Sequence, residues 1–318
     1  MKIVMLEPLG ISENNLKNYK KKLEKLGHEF IYYESRVEED YEIIKRAQDA
    51  DIIIITNLPL SKNVIEACSN LKFISVAFTG VDHIDIEACN DNNILISNSS
   101  GYSDQSVAEL VFGLTINLMR NVIDGDQATR KQKTRAGLIG NELANKKFGI
   151  VGTGNIGTQV AKIADAFGCE LLGNDIEENE NLKKLGMQYV ELEELMAESD
   201  IISIHVPLMD ATVNLIDNNE IENMKESAYL INCARGPIVN SEALAAALNN
   251  DKIAGASIDV FEMEPPIPKD HPLLNAKNTI LTPHVAFATD EAFIKRAEIV
   301  FNNIYKWLKD KPQNVINL

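Results

Sequence analysis

Four cysteines in 318 residues are too few and too scattered for a disulfide framework. Cys68, Cys89, Cys169 and Cys233 form no Cys-x-x-Cys pair, and no histidine stands near them at zinc-ligand spacing, so no metal is expected. They read as reduced, buried thiols, with a Cys68–Cys89 bridge as the alternative left open. Basic residues are also short: 31 Lys plus Arg face 47 Asp plus Glu, a formal charge of −16. That balance argues against nucleic acid or an anionic membrane as a partner, because either needs a clustered positive field. A bound anion must then be met locally, by backbone N–H groups or a few placed arginines. No apolar run approaches the ~20 residues of a membrane span. Ile52–Ile55 is too short, and Leu110–Met119 is broken by Gly113, Thr115 and Asn117. Glu7 and Pro8 interrupt Met1–Leu6 before a signal-like segment develops, so a cytoplasmic location is expected. Repeats and low-complexity tracts are missing as well.

What remains is an ordinary globular composition, 45% apolar and 25% charged, in a chain long enough for roughly two domains. Short runs rich in Ile, Val, Phe and Tyr predict strands at Ile3–Leu6, Glu29–Tyr33, Ile52–Ile55, Phe73–Ala77 and Ile94–Ser97. Segments with apolar residues at helical spacing alternate with them: Ser12–Leu26, Glu39–Gln48, Ser61–Cys68 and Ile84–Asn90. A long helix is predicted over Ser103–Arg120, then a polar, irregular stretch over Asn121–Asn145. A second alternating series follows, with strands at Phe148–Val151, Glu170–Asn174, Ile201–His205, Ala228–Asn232, Ala254–Ile258 and Thr279–Leu281. Helices are predicted between them at Ile156–Phe167, Leu192–Glu198, Ile221–Met224 and Ser241–Asn249. The chain closes with a helix, Ala292–Lys309, and an extended tail. Alternation of this kind specifies an α/β protein with parallel sheets covered on both faces.

Gly152-Thr153-Gly154-Asn155-Ile156-Gly157 follows one predicted strand directly and opens a predicted helix. This is the setting a dinucleotide fingerprint requires: a tight turn, a close approach of pyrophosphate to backbone, and close packing of helix on strand. Asp175 stands eighteen residues beyond Gly157, at the end of the next strand. A carboxylate there accepts hydrogen bonds from a ribose diol and repels a 2′-phosphate. The following Ile176-Glu177-Glu178-Asn179-Glu180 adds negative charge and no cation, so NAD (as NADH) is expected rather than NADP. Further chemistry-bearing groups fall at strand ends: His205-Val206-Pro207, Asn232-Cys233-Ala234-Arg235-Gly236, Asp259 with Glu264-Pro265-Pro266, and Thr282-Pro283-His284. An arginine, a glutamate and a histidine at one sheet edge supply an anion clamp, a charge that orients, and a proton shuttle.

Taken in order, these motifs resemble the D-isomer-specific 2-hydroxyacid dehydrogenases. Thr79-Gly80-Val81-Asp82-His83-Ile84-Asp85, Val107-Ala108-Glu109 and Asp259-Val260-Phe261-Glu262-Met263-Glu264-Pro265-Pro266 carry the resemblance along with the groups above. It implies two doubly wound parallel-sheet domains. A Rossmann cofactor domain (101–287) is inserted in a flavodoxin-like substrate domain (1–100 plus 288–318). It assigns Arg235, Glu264 and His284 to catalysis, with His284 as acid and base. Gly152, Gly154, Asn155, Ile156, Gly157, Asp175, Val206, Pro207, Thr212, Cys233, Ala234 and Asp259 fall to the cofactor. Phe78, Thr79, Gly80, Val81, Tyr102 and Arg235 fall to the substrate. A two-fold homodimer and a preference for D-2-hydroxy acids are inherited the same way. The sequence departs from the family at Asn174, where an aromatic residue is common, and at Gly137-Leu138-Ile139, where Trp is common.

Three functions compete on this scaffold: a 2-oxo-acid reductase, a non-catalytic NAD-sensing corepressor, and a dehydrogenase of another anion such as formate. Formate-acting relatives carry Gln at the place of Glu264. For substrate size, no basic residue stands between Asp51 and Ser61, where similar 3-phosphoglycerate enzymes place arginine. A phosphoester is therefore expected to be disfavoured there, and a small 2-oxo acid such as hydroxypyruvate, glyoxylate or pyruvate favoured. Phe287 resembles the residue closing the substrate pocket of lactate-type members.

Overall fold

Parallel pairing joins every named strand to its neighbours in two separate sheets. The computed structural model describes residues 1–317. It divides into Met1–Ser103 with the C-terminal segment from Ala288, and Asp104–Phe287.

The first unit holds β1 (Lys2–Met5), β2 (Glu29–Tyr32), β3 (Ile52–Ile55), β4 (Phe73–Val76) and β5 (Leu95–Ser97), in the order β2-β1-β3-β4-β5. That is the flavodoxin-like order, whose ligands gather beyond the carboxyl ends of the strands. Every residue of β3 and β4 is buried, as strands covered on both faces must be. The helices begin where the sequence offers an acceptor: Ser12, Ser61 and Asp85 take the N–H groups of Asn15, Val64 and Ala88. The C-terminal helix Asp290–Trp307 lays Ala297, Val300, Phe301 and Ile304 into the core of this sheet. Phe301 stacks on Tyr19 with ring centroids 3.9 Å apart. Beyond it the tail is extended, with Asn317 Oδ1 accepting the Ile96 N–H at 2.7 Å.

The second unit holds β6 (Lys147–Val151), β7 (Glu170–Asn174), β8 (Gln188–Tyr189), β9 (Ile201–Ile204), β10 (Tyr229–Asn232), β11 (Gly255–Ile258) and β12 (Thr279–Leu281). Their order, β12-β11-β10-β9-β6-β7-β8, reverses direction between β6 and β9. Such a reversal opens a crevice at the carboxyl edge, where α/β folds bind nucleotides. One face is covered by the helices Asp104–Arg120 and Asn155–Ala166, through Val107, Val111, Leu114, Val160 and Ala164. Leu195, Met196, Ile221, Leu244 and Leu248 form the core on the other face.

Elements that are unburied or very short differ from the sequence reading. Val122–Arg130 is a helix, not irregular chain, and none of its residues is buried. Without a buried stripe it leaves no periodic signal. The short helix Glu180–Lys184 and the two-residue β8 also went unpredicted, being too brief for a pattern. All four cysteines are free and buried, which removes the Cys68–Cys89 alternative. Among the described residues no single helix is long and apolar enough to cross a membrane.

Candidate active site

The glycine turn joins β6 to the helix Asn155–Ala166. Gly152 sits at φ +93°, where a side chain is strained, and a Cβ there would come within 2.7 Å of the His205–Val206 backbone. A Cβ on Gly157 would overlap the Gly152 carbonyl, so helix and strand pack as the fingerprint requires. Two observations test whether a dinucleotide fits. The helix N-cap, Gly154, brings no side-chain acceptor to the N–H groups of the first turn. The space a Cβ on Gly154 would occupy is open, and Gly154 and Asn155 are exposed. An uncapped helix N-terminus behind an open approach suits a pyrophosphate.

Asp175 lies at the end of β7, beside this turn. Its Oδ2 accepts from the Thr153 N–H at 2.6 Å and the Thr153 hydroxyl at 3.0 Å, and its Oδ1 accepts from the Ile176 N–H at 2.7 Å. Thr153 meets Asp175 directly, Tyr189 and Thr158 bond to Thr153, and Asn179 bonds to both of these; none of the four is a site candidate from the sequence. The expectation that no cation stands near the acidic run needs correction. Lys183 pairs with Glu178 and, at 2.8 Å, with Glu180, and these partners hold its ammonium well above the usual lysine range. The helix Glu180–Lys184 creates this contact by folding Lys183 back over the run.

On the far side of the switch point the loops after β10, β11 and β12 bring the expected triad to one edge. Arg235 is half-buried, with Nη1 donating to the Ala234 carbonyl at 2.8 Å. Gly236 follows because a Cβ there would overlap the Phe261 carbonyl, so this loop lies directly against the segment leading to Glu264. His284 Nδ1 stands 2.9 Å from each carboxylate oxygen of Glu264. The Phe287 ring meets the imidazole edge-on at 5.2 Å.

Asp259 is fully buried. It accepts from the Thr282 hydroxyl at 2.5 Å and from the N–H groups of Val285 and Ala286 at 2.9 Å each. Burial pushes its carboxyl up, against the pull of these donors. Burial, with the charge of Asp259, pushes the Cys233 thiol well up, so it is an inert neighbour. Ala234 N–H donates to Asn232 Oδ1 at 3.0 Å, fixing the turn before Arg235. The Thr212 hydroxyl donates to the Pro207 carbonyl at 2.7 Å and accepts from the Met209 N–H at 2.8 Å, closing the loop that carries Val206 and Pro207. His205 Nε2 lies 2.8 Å from Ser203 Oγ, and burial pushes its imidazole down to about 3. It is a neutral, structural histidine.

The substrate-loop residues belong to the first unit, at the carboxyl edge of its own sheet. Phe78 and Tyr102 are buried, and the Arg296 guanidinium lies 5.6 Å and 5.7 Å from their ring centroids. Thr79 is exposed, while Gly80 and Val81 are half-buried. The loop after β3 is not remote from positive charge, contrary to the sequence reading. Arg36, from the segment after β2, donates to Asn57 Oδ1 at 2.6 Å. It also meets buried Glu7 at 3.1 Å and Glu38 at 3.2 Å.

A nucleotide turn at a switch point, with an Arg, a Glu–His pair and a buried Asp along the same edge, defines a dinucleotide-dependent oxidoreductase. Residues 112–286 match the family model "D-isomer specific 2-hydroxyacid dehydrogenase, NAD binding domain". The chain is 34% identical, over the full length of both, to a hydroxypyruvate reductase of Blautia hydrogenotrophica. It is 39% identical to a glyoxylate reductase of Thermofilum pendens, over 86% of this chain and 82% of that one. Among solved structures, an acyclic imino acid reductase in complex with NADPH and D-Arg superposes with a TM-score of 0.91 at 32% identity, covering 99% of this chain and 100% of that one. The chain belongs to the D-isomer-specific 2-hydroxyacid dehydrogenase family, as its motifs indicated, and 112–286 is its NAD-binding domain.

Proposed function

We propose that this enzyme reduces a small, unphosphorylated 2-oxo acid to the D-2-hydroxy acid, and runs the reverse oxidation, with NADH and NAD as its cofactor pair. The observation that carries the proposal is the His284–Glu264 contact, 2.9 Å from Nδ1 to both oxygens. Gly152, Gly154, Asn155, Ile156, Gly157 and Asp175 would hold the dinucleotide, which when bound supplies the hydride for the carbonyl carbon. Glu264 fixes the orientation of the imidazole through Nδ1. The proton for the carbonyl oxygen then leaves His284 from Nε2. Arg235 grips the substrate carboxylate with its planar fork and polarises the carbonyl. Asp259 holds the loop that carries His284.

The same reading includes a two-fold homodimer. The unburied helix Val122–Arg130 and the nearby Ile139, 91% exposed, offer apolar surface that a second copy would cover. Light scattering showing a monomer at micromolar concentration would refute it. The four free, buried thiols suit a reducing cytoplasm.

Turnover of a phosphorylated 2-oxo acid is a second reading, and Arg36 beside Asn57 favours it. Two carboxylates already answer that guanidinium, which keeps the unphosphorylated substrate in front. The deciding assay follows NADH oxidation with hydroxypyruvate, glyoxylate, pyruvate and 3-phosphohydroxypyruvate. The proposal expects the highest kcat/KM among the first three, and fails if the phosphoester exceeds them.

A further inference from the structure

Two hydroxyls stand between a backbone N–H and the carboxylate of Asp175, and each carries a single proton. The Asn179 N–H donates to the Tyr189 hydroxyl at 2.9 Å. The Tyr189 proton therefore goes to Thr153 Oγ1, also at 2.9 Å, and the Thr153 proton to Asp175 Oδ2 at 3.0 Å. An N–H can only donate and a carboxylate only accept, so both ends set the direction of the chain. The ring of Tyr189 reaches across β7 where Gly173 leaves room, since a Cβ on Gly173 would lie 3.2 Å from Tyr189 Cε1. A second strut runs from Asn179 Nδ2 to the Thr158 hydroxyl at 3.2 Å, and from that hydroxyl to the Thr153 carbonyl at 3.1 Å. With the N–H groups of Thr153 and Ile176 added, three of the roughly four acceptor positions of Asp175 are filled. The carboxylate cannot turn without breaking this chain.

We propose that Tyr189 is a positioning residue for cofactor choice: acting through Thr153, it holds Asp175 in the orientation that accepts a ribose hydroxyl and confronts a 2′-phosphate. The inference rests on the reading of Asp175 as the ribose acid. Loss of the Tyr189 hydroxyl frees Thr153 to rotate and lets Asp175 swing. NADH then loses a preformed acceptor, while NADPH escapes part of the repulsion.

Tyr189→Phe keeps the ring on Gly173 and removes only the link. Dissociation constants of NADH and NADPH are measured directly, by fluorescence titration of the purified protein. The NADH constant should rise about three- to tenfold, the worth of one neutral hydrogen bond, with a smaller rise or a fall for NADPH. The NADPH/NADH ratio therefore narrows. In an Asp175→Ala background the same substitution should move that ratio by less than about twofold, because the two residues act as one unit. Should Tyr189→Phe lower thermal stability, Thr153→Val severs the link from the other side and must narrow the ratio likewise. An equal loss of both nucleotides, or a ratio unchanged by either variant while Asp175→Ala collapses it, overturns the role of Tyr189. A ratio unchanged in Asp175→Ala itself overturns the reading of Asp175, and the inference with it.

Discussion

The backbone carbonyl of Asp259 accepts the N–H of His284 at 2.8 Å, while the Asp259 carboxylate takes the next two N–H groups, those of Val285 and Ala286. This bracket holds His284 at φ +54°, a left-handed conformation costing a non-glycine residue on the order of 1 kcal/mol. Asp259→Asn turns an amide toward two N–H donors and a hydroxyl, so at least one donor loses its acceptor. Buried losses of this kind cost about 1–3 kcal/mol. The variant should show a lower melting temperature and a kcat reduced about tenfold or more, since the bracket aims the imidazole. Wild-type kcat in a folded Asp259→Asn protein would separate Asp259 from the placement of His284.

His284→Ala should lower turnover in both directions by about two to four orders of magnitude, while NADH affinity changes little. Glu264→Gln keeps one acceptor beside Nδ1 but turns an amide N–H₂ to where the second carboxylate oxygen stood, so one of the two 2.9 Å contacts is lost. With the imidazole less firmly aimed, kcat should fall about tenfold while the substrate KM changes little. An unchanged kcat would remove Glu264 from this role.

Arg235→Lys exchanges a planar fork for a point charge. The substrate KM should rise about tenfold or more, with a smaller loss in kcat, because carboxylate binding is shared by ground and transition states. Steady-state kinetics with saturating NADH decide it. A fall confined to kcat would reassign the guanidinium to transition-state stabilisation alone.

Burial pushes the imidazole of His205 down to about 3, whereas an unfolded histidine titrates near 6.5. Between these values the unfolded chain binds the extra proton, so acidification destabilises the fold through this group. The slope is at most about 1.4 kcal/mol per pH unit. His205→Gln removes the titration. Its melting temperature should decline less steeply than that of the wild type between about pH 6.5 and 4.5, and parallel declines would show that His205 does not contribute.

Much of this was legible because the chemistry sits where periodicity changes. The turn at Gly152–Gly157 and the strand-end groups at Arg235, Asp259 and His284 are flanked by strongly patterned strands, so their placement followed from the elements around them. Val122–Arg130 escaped because it buries nothing. Tyr189 escaped because β8 is two residues long. Arg36 and Lys183 escaped for another reason: a window along the sequence cannot see a side chain delivered from a neighbouring loop or a helix folded back. Arg36 arrives beside Asn57 from 21 positions away. Charge compensation is a property of space, not of order along the chain.

The helix Asp290–Trp307 fills the core of the first unit with residues made nearly two hundred positions after that unit's last strand. Ser75 donates to the Val300 carbonyl at 3.1 Å, and Asn303 to the Asn98 carbonyl at 2.8 Å. During synthesis β1–β5 emerge first, yet Tyr19, Phe30 and Phe73 must wait for Phe301 and Trp307 before their faces are covered. The inserted unit, Asp104–Phe287, contains all of its own strands and can close while the earlier segment is still incomplete. Folding of the first unit therefore finishes after the inserted unit has been made. Truncation within Asp290–Trp307 should leave a chain whose nucleotide-binding unit is intact and whose first hundred residues expose an apolar sheet prone to association.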